Sequence, residues 1–171
     1  MIIEEGNLKF DFPNSFIGIK FDDTTYYRNH FIKIQKGIKA IDILAVNNTE
    51  NYMIEVKDYR HPDTVQLNQT QLVEDIIKKF IFSLSAIFPM SYIITKDEEQ
   101  EIAKKFLENK ILFLIFHIEI PPQRRNLRQS NYNISNLQLE LRRKLHAITN
   151  KTNIKVVSQD NLKNLPWSLF L

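Results

Sequence analysis

Three charged residues stand in apolar surroundings that do not account for them. Asp42 is the second residue of the run Ile41 to Val46, and Glu55 and Lys57 lie in and just past the run Tyr52 to Val56. Asn47, Asn48, Thr49, Glu50 and Asn51 between the runs are turn formers, so Ile41 to His61 reads as a β-hairpin. Strand side chains alternate faces, which sets Glu55 and Lys57 on one face, about 7 Å apart. A carboxylate among Ile, Leu and Val is costly to bury unless something charged pairs with it. Two carboxylates and an ammonium converging on one sheet face suggest a metal site.

That convergence depends on register. Cross-strand neighbours share a face about 5 Å apart, so a shared metal needs Asp42 opposite Glu55 or close to it. This register makes Ala45 face Tyr52 and leaves Val46 to Asn51 as the loop. A tighter loop of Asn47 to Asn51 alone puts Val46 opposite Tyr52 and sends Asp42 to the wrong face. The longer loop, or a bulge, is therefore expected.

The pattern D-x12-E-x-K on a hairpin, carried by Asp42, Glu55 and Lys57, resembles the PD-(D/E)XK nuclease superfamily, which includes restriction endonucleases, Holliday-junction resolvases and repair nucleases. E-x-K by itself carries little, since Glu108-Asn109-Lys110 repeats it at an expected helix end. Only the Glu55 copy lies in an apolar strand, follows an Asp-bearing strand at hairpin distance and precedes a long helical pattern. The superfamily's Pro is absent, because Ala40 and Ile41 precede Asp42. The resemblance implies an α/β, restriction endonuclease-like core, a mixed central β-sheet flanked by helices. Its order of helix, three-stranded meander, helix and strand is laid over roughly residues 15 to 96. It further implies a metal-dependent phosphodiesterase acting on nucleic acid, with DNA as the expected substrate. Asp42, Glu55 and the Val56 carbonyl would then hold Mg2+ or Mn2+. Lys57 would orient water or stabilise charge on the phosphate. Two other readings stay open: an ordinary ion pair with Asp42 as a strand-end cap, and a nuclease-like fold used without chemistry for binding or assembly.

At 171 residues and 43% hydrophobic, the chain is expected to form a single domain, 1–171, with a sizeable core. Absence of cysteine excludes disulfide scaffolds and thiolate zinc sites and fits a reducing cytoplasm. No secretory signal opens the sequence and no apolar run reaches membrane-span length, so a soluble cytoplasmic protein without membrane association is expected. The net charge of +3 permits a phosphate-rich partner without demanding one. With three glycines, a Gly-rich phosphate loop is absent.

The remaining elements have to position the hairpin. Leu8 to Phe12 reads as a strand stopped by Pro13, with Ile17, Ile19 and Phe21 as its hairpin partner. Asp23, Thr24 or Thr25 could cap a short helix, and Lys36-Gly37-Ile38-Lys39 is expected to make the first bend of the meander. The superfamily often places a further acid on its first helix. Asp22 and Asp23 are the nearest candidates, with a cap or turn role for both. From Asp63 or Thr64 a long amphipathic helix runs to Pro89, Met90 to Thr95 reads as a strand, and Asp97 with Gln100 as a capping box. Ile111 to Ile120 reads as a buried strand in which His117 and Glu119 share a face. A metal role for the two needs a third ligand that the sequence does not offer, so a satisfied histidine at a sheet end is expected. Ser135 with Gln138 is read as capping a helix, and Ile154 to Val157 as a last strand. The apolar tail from Pro166 should dock on the body or on a partner chain, a homodimer included. Candidate substrate contacts are Arg28, Arg60, His61, Arg124 and Arg125, because such side chains pair with phosphates or stack on bases. The resemblance adds Gln69, since superfamily members carry a Gln on the first turns of this helix.

Overall fold

The computed structural model describes residues 1–60, 67–93, 96–121, 132–162 and 164–170. In chain order the elements are β1 (Ile2–Glu5), β2 (Leu8–Asp11), β3 (Ile17–Lys20), α1 (Thr25–Asn29), β4 (Ile43–Val46), β5 (Glu50–Asp58), α2 (Gln69–Met90), α3 (Asp97–Glu108), β6 (Ile111–Glu119), α4 (Ile134–Leu145), β7 (Ile154–Val157) and β8 (Ser168–Phe170). A five-stranded sheet has the order β3-β4-β5-β6-β7, and a second sheet has the order β1-β2-β8. Strands β3, β4 and β5 form an antiparallel meander, whereas β6 and β7 add in parallel. The fold is thus mixed α/β with a five-stranded mixed sheet. Among the described residues no helix is long and apolar enough to cross a membrane.

The two faces of the large sheet are covered differently. Leu44, Val46, Met53, Leu114, Phe116, Ile118 and Val156 pack with apolar residues from all four helices. Ile43, Ala45, Tyr52, Ile54, Val56 and Ile115 point the other way, onto Leu8 and Phe10 of the small sheet and onto Trp167. The physical reason is the direction of travel. Crossovers from β5 to β6 and from β6 to β7 step across the sheet the same way, so crossovers of one hand put their helices on one face. The other face is covered by strands from the two ends of the chain.

The predicted hairpin register holds. Ala45 pairs with Tyr52 and Ile43 with Ile54, the register that sets Asp42, one step past the strand, on the face of Glu55. The ladder runs one pair further than expected, to Val46 and Asn51. Asn47 closes the turn by accepting at its side-chain oxygen from the Thr49 and Glu50 amides, 2.8 Å each. At the other end the Asp42 amide donates to the Ile54 carbonyl at 3.2 Å, although Ile54 is the partner of Ile43. Two residues facing one is the pattern of a β-bulge.

Several expectations are corrected. Strand β2 pairs with β1 and β8 rather than with β3, which joins β4 in the large sheet. The first strand of the meander is therefore β3, and α1 with the Lys36 to Lys39 turn forms an excursion between β3 and β4. Met90 belongs to α2, and Ile93 hydrogen-bonds back to the Pro89 carbonyl at 2.9 Å. The strand that pairs in parallel with β5 is β6. An apolar run this short fits a buried helix end as well as a strand, and tertiary packing decides between them. Helix α2 starts at Gln69 under an Asn68 cap, later than Asp63 or Thr64, which lie outside the described residues. Asp97 and Gln100 make no capping box: α3 has Lys96 as N-cap without a side-chain bond, and Gln100 donates to the Ile93 carbonyl instead. Asn133, not Ser135, caps α4, and the Gln138 side chain fastens β7. The tail docks on the chain's own small sheet as β8, with Trp167 buried beside it.

Candidate functional site

Central strand β5 is buried on both faces, and Glu55 on it has no exposed surface. Lys57, two residues on and on the same face, brings its Nζ to 3.2 Å from Glu55 Oε1. Asp42 reaches the cluster from the bulged end of β4. Its Oδ2 accepts from the Val56 amide at 2.6 Å, standing in for the ladder partner that the bulge removes. Asp42 is thus both a carboxylate of the cluster and the strand-end cap considered from sequence. The Val56 backbone lies within the cluster through that bond.

A fourth residue completes the group. Lys79, from the middle of α2, places Nζ 2.6 Å from Glu55 Oε1 and 3.5 Å from Asp42 Oδ1. It sits three residues after buried Ile76 and four before buried Ser83, on the helix stripe that faces the sheet. A Lys on a core-facing stripe is the sequence signal that could have revealed it. Of the two acids before α1, Asp22 turns toward the cluster. Burial first, and then the Asp42 carboxylate, push its acid up to about 6, and its Oδ1 is buried without a partner among the described residues. Asp23 instead pairs with Arg28 and Lys20 at the surface. Neither caps α1; Thr24 does, accepting from the Tyr27 amide.

The electrostatics follow from burial. Desolvation, reinforced by Asp42 and partly offset by Lys79 and Lys57, pushes Glu55 up to about 8. Burial pulls the Lys79 ammonium down, but Glu55 and Asp42 together hold it above its ordinary range. Glu55 Oε2 is buried and has no hydrogen-bond partner among the described residues, an unusual state for a carboxylate oxygen. These donors fit a hard divalent cation in part. Asp42 and Glu55 offer carboxylate oxygens from adjacent strands, and one of those oxygens is otherwise unused. Among the described residues no group of three His, Cys, Asp or Glu side chains is placed to hold a metal alone. Such a set suits Mg2+, which keeps several waters and shares its sphere with substrate phosphate.

The predicted substrate contacts do not all converge here. Arg28 stays beside Asp22, donating to its carbonyl at 3.2 Å while paired with Asp23. Arg60 belongs to the opposite face of the sheet. It grips Asp58 through Nε and Nη2 at 2.9 and 2.8 Å, and its Nη1 lies 3.4 Å from Glu119. That charge is already matched, and the hydrogen bonds from Arg60 hold the Asp58 carboxyl below its usual range. Gln69 donates to Glu140 of α4 at 2.8 Å. Ten residues of helix separate it from Lys79, about 15 Å along the axis. His61, Arg124 and Arg125 lie outside the described residues. His117 Nε2 lies 2.9 Å from Glu119, which also accepts from the Gln159 amide at 2.6 Å. His117 Nδ1, however, is buried without a partner among the described residues, so the histidine is satisfied on one side only.

No family model matches the chain, and no solved structure matches it. A cysteine–tRNA ligase of Neisseria meningitidis is 24% identical over 205 aligned residues, covering 98% of this chain and 29% of that protein. The chain spans less than a third of the length of that relative.

Proposed function

We propose that the chain is a metal-dependent phosphodiesterase of the PD-(D/E)XK type, acting on nucleic acid. One observation carries the reading. Asp42 and Glu55 converge from adjacent strands at a desolvated point beside Lys57, and one buried oxygen of Glu55 has nothing else to bind. The β3-β4-β5 meander, the α2 crossover and the parallel β6 are compatible with a restriction endonuclease-like core, but α1 lies inside the meander instead of before it and α3 intervenes between α2 and β6.

In this reading Asp42 and Glu55 hold the cation, and the Val56 amide fixes the Asp42 carboxylate so that only Oδ1 faces the site. Mg2+ or Mn2+, when bound, supplies Lewis-acid activation of the phosphoryl group and the attacking water. Lys57, whose side chain is 29% exposed, is the cluster member with most access to solvent. It orients the water or meets charge growing on the phosphate. A cation held by Asp42 and Glu55 would add positive charge facing an anionic backbone, so nucleic acid binds better when the cation is present.

A rival reading, a nuclease-like fold that binds or assembles without chemistry, is favoured by Lys79, which with Lys57 already balances the carboxylate pair. The name of the meningococcal relative adds tRNA to the substrates to be tried beside DNA. Purified protein is incubated with duplex DNA, single-stranded DNA and tRNA, with Mg2+, with Mn2+ and with EDTA. Cation-dependent cleavage that Lys57→Met and Glu55→Gln both abolish supports the enzyme. Full activity in either variant refutes the site. Binding without cleavage of any substrate favours the rival.

A further inference from the structure

Lys79 stands where a cation shared by the two carboxylates has to sit. Its ammonium bridges Glu55 Oε1 at 2.6 Å and Asp42 Oδ1 at 3.5 Å, joining adjacent strands through one charge. Lys57, by contrast, pairs among the described residues with Glu55 and not with Asp42. The two lysines also differ in freedom. The Lys79 side chain is 13% exposed and the Lys57 side chain 29%, so Lys57 can relax into water while Lys79 is walled in by the helix and sheet. An ammonium held by three rotatable donors on a four-carbon stem can nevertheless change partners by rotation, without moving α2.

We propose that Lys79 is the internal counter-ion of the carboxylate pair, competing with a divalent cation for the same two carboxylates and leaving the bridge when the cation enters. This rests on the metal-dependent reading above and adds a regulation to it. A dication shared by Asp42 Oδ1 and the Glu55 carboxylate, whichever Glu55 oxygen it takes, would lie beside the Lys79 ammonium and repel it in a desolvated site. With Lys79 in place, the carboxylates keep their geometry at no net cost in repulsion, but a cation alone gains little by binding. A phosphate arriving with the cation offers the displaced ammonium a new anionic partner on the same side of the sheet. Cation and phosphate therefore bind cooperatively, each easing the entry of the other.

The test uses the full chain and Mn2+ alone, measured by titration calorimetry at about pH 8.5, where protons compete little for the carboxylates. Lys79→Met should bind Mn2+ about tenfold more tightly than wild type. Lys57→Met should gain less, and Lys79→Arg should not gain at all. Unchanged or weaker binding by Lys79→Met, while wild type binds and Glu55→Gln does not, overturns the counter-ion and leaves the metal reading standing. Absence of binding in every form overturns both. If Lys79→Met fails to fold, wild type still decides. The 15N signal of the Lys79 ammonium, assigned through Lys79→Arg, should shift on saturation with Mg2+ as its bond to Glu55 is lost. An unmoved signal in the Mg2+-bound protein overturns the proposal.

Discussion

Replacing Glu55 by Gln probes the buried charge without changing the shape of the side chain. Glu55 has no exposed surface, shares Oε1 between Lys79 and Lys57, and leaves Oε2 without a partner among the described residues. Burial and Asp42 together raise its acid from the ordinary 4.5 to about 8. Across that interval the folded chain keeps a proton that the unfolded chain has released, so stability falls as pH rises and levels off above the folded value. Each unit is worth ~1.4 kcal/mol, so the loss amounts to a few kcal/mol, a large part of an ordinary stability of about 5–15 kcal/mol. Lys79 is shifted upward, away from this interval, and adds nothing to the slope. Asp22 slopes in the same sense but finishes near its own value of about 6. The difference in urea unfolding between wild type and Glu55→Gln from about pH 6.5 to pH 8.5 therefore isolates Glu55. Wild-type stability should fall through this window, whereas Glu55→Gln, which resembles the protonated acid, should stay level and be the more stable protein at the alkaline end. The reasoning is refuted if wild-type stability holds or rises and the Gln variant is the weaker near pH 8.5. That result would mean that the two lysines keep Glu55 ionised in the fold.

Asp42→Ala should cost about 1–3 kcal/mol, because it strands the buried Val56 amide that Oδ2 accepts at 2.6 Å. Asp42→Asn keeps an acceptor there and should cost less. Both should lose Mn2+ binding, so thermal melts and calorimetry together separate the strand-end role of Asp42 from its charge. Gln138→Ala removes a donor to the Ile154 carbonyl at 2.6 Å and an acceptor for the Val156 amide at 2.8 Å. A loss of about 1–2 kcal/mol is expected. Faster hydrogen exchange at Val156 should accompany it, and unchanged exchange would show that water replaces Gln138 freely.

Local pattern was enough to place Asp42, Glu55 and Lys57 together. Period-two alternation put Glu55 and Lys57 on one face. The requirement that Asp42 meet Glu55 selected the pairing of Ala45 with Tyr52, which the structure has. Strand β6, the apolar stripe of α2 and the His117–Glu119 pair were legible for the same reason, since each depends on neighbours a few residues apart. Long-range partners were not legible. Strand β2 finds β1 beside it in sequence but β8 at the far end of the chain, and no periodicity encodes that choice. Arg60 looked like a residue at the mouth of the site, yet the pleat of β5 turns Asp58 to the opposite face and Arg60 follows it there. Lys79 lies well downstream of the motif, and Glu99 of α3 reaches back to accept from the Thr25 and Tyr26 amides at 2.7 and 3.0 Å. By itself the sequence determined which side chains share a strand face, because alternation is a property of the backbone. Only the tertiary structure decided which cation meets the carboxylates, because that depends on how α2 crosses β5, and a crossing is set by the packing of whole surfaces.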